Sequence, residues 1–322
     1  MPRSAPEPRV PHRPRVLPYS ALVGQEQLTL ALELAFVNPT LGGVLISGPR
    51  GTAKSTAVRS FAVMASGELP VTLPLGATID RVVGGWKVEK LLKGVTEKMD
   101  GLLRQAADSA TGILYVDEVN LLDDYLVDVL LDVASSGILH AEREGMAFTR
   151  EDVRFTLVGT MNPDEGGLRP QLLDRFGLRA TAEVRGNDAE RAEIIKVAMQ
   201  FEEARAEPEH PFWSKHEDED SAARQRLLRA RRVLPRVEWA DIVDDCARIA
   251  DRLGVIGHRG PLALVNAARA HAALSGRFRA ERADVRAVAG LALVHRRAKN
   301  ESDTVPEWTD ADARQVDDVL GG

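Results

Sequence analysis

Gly43-Val44-Leu45-Ile46-Ser47-Gly48-Pro49-Arg50-Gly51-Thr52-Ala53-Lys54-Ser55 decides the fold of this 322-residue chain. The apolar run at its start predicts a short buried strand. Gly48 to Ser55 predicts a glycine-rich turn, and a helical pattern runs from Lys54 to Ala65. Strand, glycine-rich turn and helix together are the setting in which successive backbone N–H groups form a concave nest for phosphate oxygens. Lys54 is then placed to reach the β- and γ-phosphates, and Ser55 to put its hydroxyl on Mg²⁺. Ala53 stands where the strict pattern has glycine, so a methyl group must fit beside the loop. The bland alternative is an ordinary strand–turn–helix connection.

Working outward, Leu28, Ala31, Leu32, Ala35 and Phe36 repeat at helical spacing until Pro39 ends the helix. Gly112–Val116 predicts a second buried strand, and residues 121–134 an amphipathic helix. Val153–Gly159 predicts a third strand and Leu178–Val184 a fourth. Strands separated by helices imply an α/β fold, a parallel sheet covered on both faces. Around 202–220 the pattern breaks at Pro208, Pro211 and the run His216-Glu217-Asp218-Glu219-Asp220. Four helical stretches follow, 221–232, 237–253, 261–275 and 282–297. The expected organisation is a Pro/Arg-rich disordered arm at 1–18, an α/β domain with the phosphate loop at 19–201, a linker at 202–220, a small helical domain at 221–300 and a tail at 301–322.

The second strand ends in Asp117-Glu118. Two carboxylates at the end of a buried strand are costly unless they serve a cation or a proton transfer. Asp117 is suited to hold Mg²⁺, and Glu118 to orient and deprotonate an attacking water. A helix N-cap beside a surface acid is the alternative. The third strand runs into Thr160-Met161-Asn162-Pro163, where Asn162 is either a contact for water or γ-phosphate or simply an Asn-Pro turn. In Arg169-Pro170-Gln171-Leu172-Leu173-Asp174-Arg175-Phe176 the arginines either snorkel past apolar neighbours or stabilise transition-state charge. Arg259, in Gly257-His258-Arg259-Gly260, is one more cation or a plain helix-start residue.

Composition narrows the classes. Hydrophobic residues are 44% and charged residues 28%, ordinary globular values. Formal net charge is −6, which argues against a general nucleic-acid coat. One cysteine, Cys246, excludes an intrachain disulfide and a cysteine-based metal cluster. It reads as a buried structural thiol, and a cytoplasmic setting is expected. No apolar run approaches a membrane span. None of the seven histidines pairs with another at close helical spacing. His271 and His295 read as surface or helix-end residues, and no aromatic cluster suggests a porphyrin pocket.

Taken together, these segments resemble the AAA+ ATPases and, more narrowly, the ATPase (I) subunit of magnesium chelatase. The resemblance covers roughly residues 19–298. Its more specific carriers are Leu73-Pro74-Leu75-Gly76-Ala77-Thr78, followed by Asp80-Arg81-Val82-Val83-Gly84, and the run Gly159–Phe176 with Leu168-Arg169-Pro170-Gln171-Leu172-Leu173-Asp174-Arg175-Phe176. Val23-Gly24-Gln25-Glu26, Gly112–Asp124, Val127–Ser136 and Glu142-Arg143-Glu144-Gly145 add to it. The resemblance implies that Gly48, Pro49, Arg50, Gly51, Thr52, Ala53, Lys54, Ser55 and Thr56 bind ATP as Walker A. It makes Asp117 and Glu118 Walker B, with Ser55 and Asp117 on Mg²⁺. Asn162 becomes sensor 1, Arg175 the arginine finger and Arg259 sensor 2. It further implies a hexameric homo-oligomeric ring whose finger completes the adjacent subunit's site. The implied partners are a von Willebrand A-type (D-like) subunit and a large tetrapyrrole-binding (H-like) subunit. Neither nucleic acid nor a membrane is among them.

The chain departs from photosynthetic relatives in a short Thr56–Thr72 segment, Ile79, Met99-Asp100 and His258. None of these is a hydrolytic residue. The function expected is an ATP-driven motor for inserting a divalent metal, Mg²⁺ first, into a tetrapyrrole on another subunit. A MoxR-like chaperone that remodels a partner, with a von Willebrand A co-factor, is the alternative. A nucleotide-assembled scaffold is a third.

Overall fold

The computed structural model describes residues 14–86, 98–143, 146–182, 188–298 and 307–321. The first thirteen residues of the expected arm, Glu144-Gly145 and Val184 lie outside the described residues.

A five-stranded parallel sheet is built from β1 (Val44–Ser47), β2 (Val71–Leu73), β5 (Ile113–Val116), β8 (Thr156–Met161) and β9 (Leu178–Thr181), in the order β2-β5-β8-β1-β9. Hairpins β3 (Gly84–Trp86) with β4 (Lys98–Asp100) and β6 (Leu139–Arg143) with β7 (Met146–Arg150) stand apart from it. Neither hairpin was legible in the sequence, nor was edge strand β2. Register pairs Val44 with Val158 and with Leu178, so β1 lies between β8 and β9.

Side chains alternate across a strand, and β1 shows the consequence. Val44 and Ile46 enter one buried cluster, Leu45 the other. The first cluster is completed by α1 (Glu26–Val37), α2 (Lys54–Ser66) and the C-terminal helices, the second by α4 (Leu102–Asp108) and α5 (Asp124–Ser136). The short helices α3 (Ile79–Val83) and α6 (Pro170–Leu173) lie between strands. Both sheet faces are therefore apolar, which is why the strands read as continuous hydrophobic runs.

The stretch expected as a linker is instead helical. Helix α7 (Asp188–Ala206) covers its start and α8 (Pro211–Val233) its second half. Proline at the first helical position is compatible with a helix, and the His210 ring accepts from the Phe212 N–H at 3.2 Å as a cap. The acidic run lies along α8, where buried Asp220 accepts from the backbone N–H groups of Tyr19 (3.2 Å) and Ser20 (2.8 Å). Beyond it come α9 (Val243–Arg252), α10 (Arg259–Leu274) and α11 (Arg282–Leu293). The expected tail contains α12 (Asp310–Leu320), begun by a Thr309/Asp312 capping box and packed through Val316 and Leu320. No helix among the described residues is long and apolar enough to cross a membrane.

Candidate functional site

The loop after β1 and the acids after β5 flank β8, which is inserted between their strands. In an open parallel sheet the connections diverge at such a point and leave a crevice at the carboxyl ends. A cavity of about 280 Å³ occupies it, lined by the Arg50–Thr56 loop, Asp117, Glu118 and Asn162. Gly48 begins the turn at φ 158°, where a Cβ would lie 2.7 Å from the Ala182 carbonyl oxygen on the neighbouring chain segment. Ala53 takes a left-handed conformation, φ 57° and ψ 20°, as N-cap of α2. The methyl group is therefore accommodated with backbone strain of about 1–2 kcal/mol.

Lys54 bends over the loop and donates to the carbonyls of Gly48 (2.6 Å) and Pro49 (2.7 Å). Burial lowers its pKa, while Asp117, Glu118 and Glu165 push the other way. Asp117 is held by three hydroxyls. Thr160 donates to its Oδ1 at 2.6 Å, Tyr115 at 2.8 Å, and Ser55 at 3.4 Å. The Glu118 N–H in turn donates to Thr160 Oγ1 at 3.1 Å. Glu118 has φ 54°, so the backbone turns sharply at the strand end. Asn162 is 5% exposed. It caps a short turn through the Asp164 N–H, and it lines the cleft while donating to Glu165 Oε1 at 2.9 Å.

Three features were not read from the sequence. Glu165 bridges Asn162 and Arg50, the latter at 2.5 Å, and these contacts lower its pKa. Tyr115 joins Ser55 to Asp117, and burial raises its pKa to about 12. The third is an apolar cavity of about 430 Å³ that continues from Gly51–Ala53 and Thr56 to Leu22, Val23, Val197 and Phe201. Beyond that loop its residues come from the segment before α1 and from α7, and these carry no chemical signature in sequence.

Two expected residues lie elsewhere. Arg175 stands just before β9, and its carbonyl oxygen lies 3.3 Å from a Cβ built on Gly42, which precedes β1. That is the amino end of the strands, about 13 Å of strand away from the phosphate loop. There Arg175 pairs with Asp128 at 2.8 Å. Arg259 shares this end and binds Asp174 at 3.2 Å. Arg259, expected as sensor 2, is thus carried by α10 to the end of the sheet opposite this chain's own phosphate loop. Spacing alone could not give the placement of the C-terminal helices.

The cleft fits a nucleoside triphosphate with Mg²⁺. It offers a concave run of backbone, one ammonium, the oxygen donors Ser55 and Asp117 suited to a hard cation, and an adjoining apolar cavity large enough for a nucleobase. Comparisons with known proteins agree with that geometry. Residues 43–176 match the AAA domain family, dynein-related subfamily, and residues 244–316 the AAA lid domain family. The Magnesium-chelatase 38 kDa subunit of Chlorobaculum tepidum is 41% identical over 346 residues, covering 94% of this chain and 86% of the relative. The protein of the same name from Cereibacter sphaeroides is 43% identical over 316 residues, 87% and 91% of the two chains. A crystal structure from Cytophaga hutchinsonii, 16% identical, shares the fold with a TM-score of 0.64 over 94% of this chain and 91% of that one.

Proposed function

Because the chain belongs to the magnesium-chelatase ATPase-subunit family of AAA+ proteins, we propose that it drives insertion of a divalent metal, Mg²⁺ as substrate, into a tetrapyrrole held by a larger partner subunit. It is an ATPase of the chelatase-motor type. The chaperone reading is not favoured by relatives named for chelatases over most of the chain.

In this reading the Gly48–Ser55 backbone and Lys54 hold the triphosphate, and the apolar cavity receives the base. Ser55 and Asp117 would hold the Mg²⁺ that accompanies ATP, which neutralises charge on the β- and γ-phosphates. Glu118 accepts a proton from the attacking water, and Asn162 positions that water or the γ-phosphate. Arg175 and Arg259 act on the nucleotide of the adjacent subunit in a hexameric ring, with a von Willebrand A-type (D-like) partner joining the assembly.

One observation carries the reading. Lys54, Ser55, Asp117, Glu118 and Asn162 surround one cleft, while Arg175 lies at the opposite end of the same sheet. That separation supports a site completed by a second copy of the chain. Arg175→Ala and Lys54→Ala homo-oligomers should each hydrolyse ATP about 10³–10⁵-fold slower than wild type. Their mixture should regain turnover, because one supplies intact clefts and the other intact fingers. A mixture no faster than its parts would refute a shared site. Failure of the wild-type chain to stimulate metal insertion with a tetrapyrrole-binding partner would refute the chelatase role.

A further inference from the structure

The segment that carries Arg175 is gripped from the C-terminal helices. Arg296, just beyond α11, has a side chain only 2% exposed. Its five N–H groups are all used. Nε donates to Asp174 Oδ1 at 3.2 Å. One terminal nitrogen donates to the carbonyls of Gly177 (3.0 Å) and Ala292 (2.6 Å). The other donates to the carbonyls of Asp174 (2.7 Å) and Phe176 (2.5 Å). His295, expected as a surface or helix-end residue, lies just past the end of α11 and is buried, its Nε2 2.9 Å from the same Phe176 carbonyl oxygen. Burial, reinforced by Arg296, depresses its pKa well below the ordinary value, so the ring is neutral and Nε2–H donates. Arg259 binds the remaining Asp174 oxygen.

The other side of the segment has no slack. A Cβ on Gly177 would fall 1.6 Å from the Leu41 carbonyl oxygen, so only glycine lets the chain pass β1 this closely. The carbonyls of residues 174, 176 and 177 are thus tied to two side chains at the end of α11, while their backbone is pressed against the residues leading into β1. Arg175 sits in the middle of this clamp, its guanidinium paired with Asp128.

We propose that Arg296 is a positioning residue for the arginine finger: it transmits the placement of the C-terminal helices to Arg175, and through it to hydrolysis in the adjacent subunit. This rests on the shared-site reading above. A guanidinium is needed because a fork of five donors matches five acceptors spread over two chain segments, whereas an ammonium offers three donors from one point. The clamp also links the subunit's own state to its neighbour's rate. A shift of α11 relative to the sheet moves the backbone on which the finger is mounted.

The test uses full-length Arg296→Lys, with Arg296→Met as the stronger variant, and reads four quantities. They are turnover, affinity for a fluorescent ATP analogue, the urea unfolding midpoint, and rescue by Lys54→Ala subunits. A finger displaced by about 1 Å costs on the order of 10²-fold. Turnover should fall by that order, while the analogue's Kd stays within about twofold because the cleft is untouched. Mixing with Lys54→Ala subunits should restore turnover to the Arg296→Lys clefts, as it does for Arg175→Ala. In the Arg175→Ala background, adding Arg296→Lys should cost nothing more. Full turnover in Arg296→Lys, loss of analogue affinity in step with turnover, or no rescue while Arg175→Ala is rescued would each overturn the proposal. If Arg175→Ala itself is not rescued, the shared-site reading fails and takes this proposal with it.

Discussion

Tyr115 donates its hydroxyl to Asp117 Oδ1 at 2.8 Å from two residues upstream on the same strand, and the same hydroxyl lies 2.9 Å from Ser55 Oγ. Alternation along β5 puts both side chains on one face, so the tyrosine spans the two oxygen donors proposed for Mg²⁺. Removing such an outer partner typically costs 10- to 100-fold in metal affinity or activity. Tyr115→Phe should therefore raise the Mg²⁺ concentration for half-maximal ATPase by about 10-fold, and lower stability by about 1 kcal/mol for the lost buried hydrogen bond. The raised pKa, about 12, keeps the hydroxyl protonated at working pH. The difference between variant and wild type should accordingly stay constant from pH 7 to pH 9 in a Mg²⁺ titration. An unchanged Mg²⁺ requirement would show that Asp117 is oriented without it.

The apolar cavity beside Gly51–Ala53 predicts a separable effect on nucleotide affinity. Ala198 lines it from an exposed position on α7. Ala198→Trp fills volume where a base would lie without disturbing a packed core. Nucleotide affinity should fall by at least about 10-fold, near 1.4 kcal/mol, with the urea midpoint unchanged. Equilibrium binding of a fluorescent ATP analogue reads the first quantity. Wild-type affinity in the variant would place the base elsewhere.

These two sites differ in how visible they were in sequence. Asp117, Glu118 and Asn162 each follow a buried strand directly, and Lys54 and Ser55 follow one across the Gly48–Ala53 turn, so strand periodicity plus a short polar signal locates them. The parallel sheet then brings neighbouring strand ends together at a spacing of about 4.8 Å. The base cavity has no such local mark, because Leu22 and Val23 meet Val197 and Phe201 only through tertiary packing. Arg259 was recognisable as a cation but not placeable, since the fold of α9 to α11 fixes which end of the sheet it reaches. The supposed linker failed for another reason. Pro208 and Pro211 were read as breakers, although Pro211 opens a helix and buried Asp220 ties it to Tyr19 and Ser20.

Cys246 predicts a chemical signature of the folded state. It is fully buried, and burial with Asp245 alongside pushes its thiol up from 9.0 to about 12. A raised folded pKa contributes stability that is complete below the unfolded value and is lost as pH climbs from 9 toward 12. At pH 8 the native thiol is protonated and shielded, while the unfolded thiol has a substantial thiolate fraction. Iodoacetamide at pH 8 should label native protein only through unfolding, with the rate rising in urea in step with the unfolding transition. Rapid stoichiometric labelling without urea would contradict the buried placement.

Ala53 supplies the sharpest test of the loop geometry. At φ 57° and ψ 20° it holds a left-handed conformation that its Cβ disfavours by roughly 1–2 kcal/mol. Ala53→Gly removes that strain but adds about 0.4–1 kcal/mol of unfolded-chain entropy. The net expectation lies between no change and a gain of about 1.6 kcal/mol, with ATP hydrolysis retained, since the loop already has the backbone that glycine prefers. Ala57, one turn on and fully buried inside α2, is the control. There the same substitution relieves nothing, loses packing and should cost about 1 kcal/mol or more. Urea unfolding of the two variants side by side separates the cases. Equal destabilisation would mean that Ala53 is an ordinary helical residue, and that the turn into α2 is not the left-handed nest a triphosphate requires.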